Sequence, residues 1–114
     1  HWQLGPVITE LAEHPETRQA IIEIHDRALD QKKMGKQRVP CSLMYQFMRR
    51  DGKLDLIYMM RSTDFVTHFQ NDIWMAAEIQ KRFAEILEIP PGKFIMFASS
   101  LHCYKKDWDS LLPY

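Results

Sequence analysis

Cys41, Arg61 and Asp72 are the side chains of this sequence whose types and spacing could carry out chemistry together. Cysteine attacks carbon as its thiolate, and a neighbouring guanidinium favours the thiolate over the thiol. A carboxylate that faces inwards can accept hydrogen bonds from the N–H groups of a small ring. Ser62, next to Arg61, could add a hydroxyl donor to an anion bound by the guanidinium. We therefore expect covalent chemistry on a phosphorylated heterocycle.

Each of these side chains also has a purely structural explanation. A free cysteine is most often a small buried hydrophobic residue, and an arginine at the end of a strand often forms a surface salt bridge. An aspartate near the start of a helix usually caps the free N–H groups of the first turn. Asn71 could instead be that cap, which would leave the Asp72 side chain free to face inwards.

His102 and Tyr104 alternate along an extended segment, so their side chains lie on one side of it. Both can donate a hydrogen bond to a sugar hydroxyl, and both are candidate binding residues. Cys103 lies between them, and core packing is its expected role. The spacing of histidine and cysteine here does not match a metal site, and no metal is expected.

These residues need a scaffold, and apolar periodicity predicts its elements. Asp51-Gly52 is a strong hairpin signal between two strands. Asp72 lies on the apolar face of the longest predicted helix, which is formed by Met75, Ala76, Ile79, Phe83, Ile86 and Leu87. The order of elements predicts an α+β fold with a mostly antiparallel sheet. The predicted elements are a helix over 4–13, a strand over 18–24, a loop over 28–39, strands over 43–50 and 54–61, a helix over 71–87, a strand over 94–99, and a short helix or extended tail over 105–112.

Composition narrows the class of protein. A chain of 114 residues, 46% of them hydrophobic, fits one small domain with a core. Its 15 basic and 15 acidic residues cancel, so no broad field for nucleic acid or a membrane surface is expected. No long apolar run or leader is visible, and two cysteines do not make a disulfide framework. We expect a cytoplasmic, reduced protein with neither nucleic acid nor membrane as a partner.

Several motifs resemble the catalytic core of the thymidylate synthase family, and the closer likeness is to its pyrimidine hydroxymethylases. They keep the family's order from about residue 4 to residue 108. The resemblance implies a thymidylate synthase-like fold, with a mostly antiparallel sheet packed on a long helix. It also implies that residues 1–114 are the core portion of one such domain, without its N-terminal and C-terminal parts. The motifs are His14-Pro15-Glu16-Thr17-Arg18, Pro40-Cys41, Tyr45-Gln46-Phe47, Asp51-Gly52-Lys53-Leu54, Arg61-Ser62-Thr63-Asp64 and the segment 99–104.

The resemblance implies a role for the thiol and its neighbours. Cys41 would add to C6 of a pyrimidine nucleoside monophosphate, which makes C5 nucleophilic enough to attack the methylene of a reduced folate. The implied cofactor is 5,10-methylenetetrahydrofolate. Arg61 would contact the nucleotide phosphate beside the thiolate, and Ser62 would be a second phosphate ligand.

The remaining motifs imply contacts to the base, sugar and partner subunit. Asp64 would contact the base through its backbone and the pterin through its side chain. His102 and Tyr104 would hold the 3′-hydroxyl of the sugar. Arg18 would reach the phosphate bound by the other subunit, which implies a homodimer with shared sites.

Departures from the thymidylate synthase pattern bear on the substrate. Asp72 stands where those enzymes carry asparagine, whereas the hydroxymethylases have aspartate in a Phe-x-Asn-Asp run. That run matches residues 69–72, and Asn71 within it is a further candidate substrate-binding residue. A carboxylate only accepts hydrogen bonds, so it suits the exocyclic amine of cytosine and a protonated N3. Ser42 replaces the histidine that usually follows the cysteine, and Gln19 replaces a second arginine, which should weaken phosphate binding.

These observations favour folate-dependent hydroxymethylation of a cytidine monophosphate, either CMP or dCMP. One alternative is methylation of dUMP. Another is a module without turnover that only binds nucleotide or forms dimers, which the missing ends of the family domain would favour. Apolar residues on both sides of the strand over 43–50 further predict that one sheet face meets a partner subunit.

Overall fold

The computed structural model describes residues 3–111, except for the side chain of Ser110. Its helices are α1 (Leu4–Glu13), α2 (Arg27–Lys33), α3 (Phe69–Leu87) and α4 (Trp108–Leu111), and a 3-10 turn at Lys105–Asp107 precedes α4. Its strands are β1 (Ala20–Glu23), β2 (Ser42–Arg50), β3 (Lys53–Met60), β4 (Thr63–Asp64), β5 (Pro91–Ala98) and β6 (Leu101–His102).

One four-stranded sheet forms the centre of the molecule, in the order β1-β2-β3-β5. The first three strands are antiparallel neighbours, and β5 joins β3 in parallel. A parallel neighbour needs a crossover connection, and α3 supplies it between β3 and β5. The short strands β4 and β6 form a separate parallel pair. The mixed α/β architecture with a mostly antiparallel sheet is therefore confirmed.

The β2–β3 hairpin turns at Asp51-Gly52, as predicted. Both residues have positive φ, 54° and 71°. This is the conformation that the commonest two-residue hairpin turn requires, and glycine adopts it without steric cost. From this turn the two strands run side by side as far as Ser42 and Met60. The hairpin therefore brings the start of β2 and the end of β3 to the same place.

The core lies between one face of the sheet and the helices α1 and α3. The rings of Phe47 on β2 and Phe83 on α3 stack 4.6 Å apart. Gln80 is buried on α3, and its Nε2 donates to the carbonyls of Leu54 and Lys93 at 2.9 Å each. These bonds satisfy a polar side chain inside the core. They also fasten the helix across β3 and the start of β5.

The predicted apolar stripe of the long helix is partly wrong. Ala76 and Phe83 are buried, but Met75 and Ile86 are 56% and 59% exposed. Gln80 occupies the middle of the buried face instead. The sheet covers a narrower strip of the helix than the apolar pattern suggested.

Other element boundaries also differ from the prediction. Residues 28–39 do not form one loop, because α2 occupies its first part. The Asp26 carboxylate accepts from the N–H groups of Ala28 and Leu29, which starts this helix. The first strand is limited to Ala20–Glu23. A short helix does form at Trp108–Leu111, whereas Leu112 lies outside the described residues. Between residues 3 and 111, no helix is long and apolar enough to cross a membrane.

Candidate active site

A cavity of about 490 Å³ opens beside the start of β2. Every site residue predicted from the sequence lines it except Arg18 and Asn71. Four residues that line it were not predicted to be site residues: Arg38, Pro40, Thr63 and His68. The full lining is Arg38, Pro40, Cys41, Arg61, Ser62, Thr63, Asp64, His68, Asp72, His102 and Tyr104.

The β2–β3 hairpin positions the thiol and the guanidinium. Cys41 immediately precedes β2 and Arg61 immediately follows β3. The Arg61 backbone N–H donates to the Cys41 carbonyl at 2.8 Å, continuing the ladder past the ends of the strands. The Ser62 hydroxyl donates to the Cys41 sulfur at 3.8 Å. The thiol therefore has a hydroxyl neighbour and lines the same cavity as an arginine.

The Arg61 side chain holds the segment that leads into Cys41. Its Nε donates to the Pro40 carbonyl at 2.9 Å, and its Nη2 donates to the Val39 carbonyl at 2.6 Å. Its Nη1 donates to the Ser62 hydroxyl at 3.1 Å. Guanidinium has five N–H groups, so two stay available to a ligand. Arg61 thus holds the segment Val39-Pro40-Cys41, which we call the thiol loop, and it is also a candidate anion ligand.

Asp72 lies inside the first turn of α3 and does not cap it. The helix begins two residues earlier than predicted, and its N-cap residue is His68, without a side-chain capping bond. Asp72 Oδ2 accepts from the hydroxyl of Thr63 on β4 at 2.9 Å. Its Oδ1 has no hydrogen-bond partner among residues 3–111. Asn71 is exposed and lies outside the cavity, so it is neither the cap nor part of the lining.

Asp64 is a buried carboxylate at the end of β4. Its Oδ2 accepts from the Thr67 hydroxyl at 2.8 Å, and its Oδ1 accepts from the Val66 backbone N–H at 3.0 Å. The bond from Thr67, more than any other contact, lowers the pKa of Asp64 below its ordinary value. Hydrogen bonds to the charged form have this effect. Asp64 is therefore a permanent acceptor in the cavity wall near neutral pH.

His102 and Tyr104 reach the cavity because β6 pairs with β4. In this pairing His102 lies opposite Asp64. The His102 and Tyr104 rings meet edge to face, 5.1 Å apart. The Ser100 hydroxyl lies 3.4 Å from His102 Nδ1. An imidazole and a phenol therefore stand side by side at the cavity, as their alternation predicted.

A hydroxyl network that the sequence analysis missed lies behind the cavity. The hydroxyls of Ser42 and Tyr58 share a hydrogen bond, and Tyr58 also bonds to Tyr45. The two tyrosine rings stack 4.7 Å apart. Burial, and to a lesser extent the Asp72 charge, raises the pKa of both tyrosines. Both phenols therefore stay protonated, and Tyr58 bonds to the residue that follows Cys41.

Cys103 has a different environment from Cys41. It does not line the cavity, and its thiol donates to the Tyr104 carbonyl at 3.5 Å. Burial, then the carboxylates of Asp107 and Asp64, raises the pKa of the Cys103 thiol. These conditions disfavour the thiolate. They agree with the expectation that Cys103 is not the reactive cysteine.

Arg18 lies away from the cavity. It is exposed just before β1, and its carbonyl accepts from Gln46 Nε2 at 3.0 Å. Its expected role in a partner's site stays a prediction. Within residues 3–111, no group of three histidine, cysteine, aspartate or glutamate side chains is arranged to hold a metal ion.

The sequence of residues 2–113 matches the family model described as thymidylate synthase. A protein of Methanosarcina barkeri named "Putative thymidylate synthase" is 30% identical over 107 residues, which are 94% of this chain and 48% of that protein. A deoxyuridylate hydroxymethyltransferase of Bacillus phage SP01 is 31% identical over 107 residues, which are 93% of this chain and 28% of that protein. A Methanococcoides burtonii protein, also named as a thymidylate synthase, is 27% identical over 109 residues, 96% of this chain and 49% of that protein.

This chain thus spans half the length or less of the relatives that it matches. The resemblance that the motifs carry is confirmed across nearly all of its residues. With the thiol, arginine and carboxylates of those motifs gathered around one cavity, this chain belongs to the thymidylate synthase family.

Proposed function

We propose that this protein transfers a one-carbon unit to C5 of a pyrimidine nucleoside monophosphate, most specifically by hydroxymethylating CMP or dCMP. The observation that carries the proposal is the shared cavity of Cys41 and Asp72, in which one carboxylate oxygen of Asp72 has no partner among residues 3–111. A nucleophile and a base-reading acceptor on one cavity wall suit covalent chemistry on an amine-bearing ring.

Cys41 is the proposed nucleophile. Its thiolate forms a bond to C6, and the C5–C6 π electrons move into the conjugated C4–N3 group of cytosine, which makes C5 nucleophilic. After C5 has bonded to the one-carbon unit and lost its proton, water supplies the hydroxyl of the hydroxymethyl group. The C6–S bond then breaks, which expels the thiolate and restores the C5–C6 double bond. The Arg61 and Ser62 contacts hold the thiol loop in place for both steps.

Asp72 is the proposed reader of the base. Cytosine presents an exocyclic amine, a donor, where uracil presents O4, an acceptor. The carboxylate can only accept, and the Thr63 hydroxyl orients it through Oδ2. The partner-free Oδ1 is therefore the acceptor that we assign to the cytosine amine.

The remaining polar residues suit the rest of a nucleotide. We assign the phosphate to Arg61 and Ser62, whose guanidinium and hydroxyl are already bonded to each other. We assign the 3′-hydroxyl to His102 and Tyr104, which meet edge to face at the cavity. Arg18 is assigned to the partner subunit's substrate because it lies outside this cavity.

Asp64 is the proposed contact to the folate. Its carboxylate accepts from the Thr67 hydroxyl and from the backbone N–H groups of Val66 and Thr67, whereas a carboxylate offers about four acceptor positions. Its lowered pKa keeps it ionised, so it fits a ring that donates N–H groups. When bound, 5,10-methylenetetrahydrofolate would supply the one-carbon unit.

The protein is further proposed to be a homodimer. The support is the sheet face opposite α3, where the strand register aligns Met44-Met59-Phe97 in one row and Ile57-Ile95 in the next, with Gln46 beyond Ile57. Phe97 and Ile95 are 59% and 50% exposed in the isolated chain. Contiguous exposed apolar rows are typical of protein interfaces.

Sedimentation equilibrium tests the dimer. We expect a dimer for the wild-type protein and a shift towards monomer for Phe97→Glu, because the two-fold interface would bury an unpaired carboxylate from each subunit. Ile86→Glu is the matched control, since Ile86 is equally exposed but lies on α3, away from this face. A wild-type monomer at high concentration would contradict the proposal.

Base choice has a second candidate. The phage relative is named for deoxyuridylate, and the Methanosarcina barkeri and Methanococcoides burtonii relatives are each named "Putative thymidylate synthase". Their names favour a uracil nucleotide, with hydroxymethyl or methyl as the group transferred. The carboxylate at position 72 is the observation against this candidate.

The decisive experiment incubates the protein with CMP, dCMP, UMP and dUMP, each with methylenetetrahydrofolate. Product mass separates a hydroxymethyl from a methyl group, and we expect a hydroxymethylated cytidine nucleotide. Product from the uracil nucleotides alone would establish the second candidate. Binding without product in all four mixtures would identify a module without turnover.

A further inference from the structure

We propose that Arg38 is a phosphate ligand of the nucleotide site, acting as a second guanidinium beside Arg61. The inference rests on the proposed function, because the anion that it assigns to Arg38 is the phosphate of the pyrimidine nucleotide. It adds a residue that neither the motifs nor the names of the relatives single out.

Arg61 alone is poorly placed to hold the phosphate. Three of its N–H groups already donate to the Pro40 carbonyl, the Val39 carbonyl and the Ser62 hydroxyl. A guanidinium binds phosphate best through two parallel N–H bonds from one fork. Since each terminal nitrogen of Arg61 has one N–H committed to the protein, only part of that fork is left for a ligand.

Arg38 has the capacity that Arg61 lacks. Arg38 lines the same cavity, and its exposed side chain has no ion pair or hydrogen bond in the described part of the chain. It immediately precedes Val39, whose carbonyl Arg61 holds at 2.6 Å. The bond from Arg61 therefore fixes the backbone next to Arg38. The guanidinium of Arg38 itself has no hydrogen-bond partner in the described part of the chain.

The carboxylates of the cavity are committed elsewhere. Asp64 accepts from Val66 and Thr67, and Asp72 accepts from Thr63. Neither forms an ion pair with Arg38. The cavity thus combines an arginine and hydroxyl group around the thiol loop with carboxylates on β4 and α3. This charge distribution matches a nucleoside monophosphate, which has an anion at one end and a hydrogen-bonding ring at the other.

A departure from the family pattern just before β1 gives a reason for a further cationic residue at the phosphate. Gln19 stands where the family pattern has the second arginine of a pair. One cationic contact is therefore missing from the expected phosphate site. Arg38 returns a guanidinium to that site from within the same chain.

Equilibrium binding of CMP, UMP and cytidine by calorimetry tests the inference. We expect Arg38→Gln to raise the Kd of the preferred monophosphate about tenfold and to leave the Kd of the nucleoside unchanged. The dependence of log Kd on log salt concentration should also become shallower, because one cation fewer meets the phosphate. Arg38→Lys should lie between the wild type and Arg38→Gln, since lysine keeps the charge but not the fork.

Lys36→Gln is the matched control, because Lys36 is an exposed cation of the same loop that does not line the cavity. It should leave all three Kd values unchanged. Equal monophosphate affinity in Arg38→Gln and the wild type would overturn this inference alone. Wild-type protein that bound neither CMP nor UMP would overturn the proposed function, and this inference with it.

Discussion

The two sides of the cavity are built in different ways. On the thiol side, Arg61 holds Cys41 through bonds to main-chain carbonyls, and the hairpin ladder continues up to that point. On the carboxylate side, the Thr63 hydroxyl holds Asp72, and the Thr67 hydroxyl together with the Val66 N–H holds Asp64. The thiol is thus placed through main-chain carbonyls, whereas each carboxylate is held through its own side chain. We therefore expect the reaction rate to depend on the β2–β3 hairpin. The preference for one base should depend on the side chains that hold the carboxylates.

The largest effect should follow from removing the nucleophile. Cys41→Ser should lower product formation by at least about 1000-fold, because serine is not an adequate nucleophile without an added base. Cys103→Ser is the matched control and should retain activity, since Cys103 lies outside the cavity and its pKa is raised. Limited alkylation at neutral pH should label Cys41 first. Equal labelling of both thiols would contradict the assignment of Cys41 as the reactive cysteine.

A smaller effect is expected on the carboxylate side. Asp72→Asn offers an amide donor to O4 of uracil, so it should shift preference towards the uridine nucleotide. An unsatisfied buried polar group costs roughly 1–3 kcal/mol, which corresponds to about tenfold to several hundredfold in kcat/KM. The measurement is kcat/KM for both bases in wild type and mutant. Unchanged base preference would leave Asp72 as a structural ligand of Thr63 only.

The thiol side of the cavity could be predicted from the sequence, whereas the contacts on the carboxylate side could not. Apolar alternation and Asp51-Gly52 predict the hairpin, and antiparallel pairing then brings Cys41 and Arg61 together. The bond from Thr63 to Asp72 depends on the exact start of α3, which apolar periodicity placed two residues late. The missed Tyr45 and Tyr58 pair looks like ordinary strand packing, because a buried tyrosine gives no sign of its hydroxyl partner.

Arg38 and α2 were missed for a related reason. The segment from Ala28 to Val39 is polar, so it was predicted to be a loop. Its helix depends on the Asp26 cap, and the place of Arg38 depends on main-chain bonds from Arg61, which is more than twenty residues away. Local patterns do not encode contacts of that range.

A third prediction isolates the support of Asp72 from Asp72 itself. Thr63→Val keeps the shape of a buried side chain but removes the hydroxyl that bonds to Oδ2. We expect a loss of about 1 kcal/mol in the free energy of unfolding, because one hydrogen bond to the carboxylate is removed. The loss stays small because the half-buried carboxylate can bond to water instead. Base preference should weaken by less than in Asp72→Asn. Urea unfolding and a double-mutant cycle check this, and additivity of the two substitutions would show that the residues do not interact.

The smallest expected effect is on the pH at which acid unfolds the protein. The Thr67 hydroxyl lowers the pKa of Asp64 in the folded protein, so ionised Asp64 favours folding above its unfolded pKa of about 3.9. This contribution is lost as pH falls through the lower, folded value. Thr67→Val removes the bond and raises the folded pKa of Asp64, so acid unfolding should begin at higher pH than in the wild type. Thr9→Val is the control, because Thr9 is an exposed threonine on α1, far along the chain from the site. Circular dichroism against pH measures the shift, and coincident acid limbs for wild type and Thr67→Val would show that this hydroxyl does not hold the carboxylate in solution.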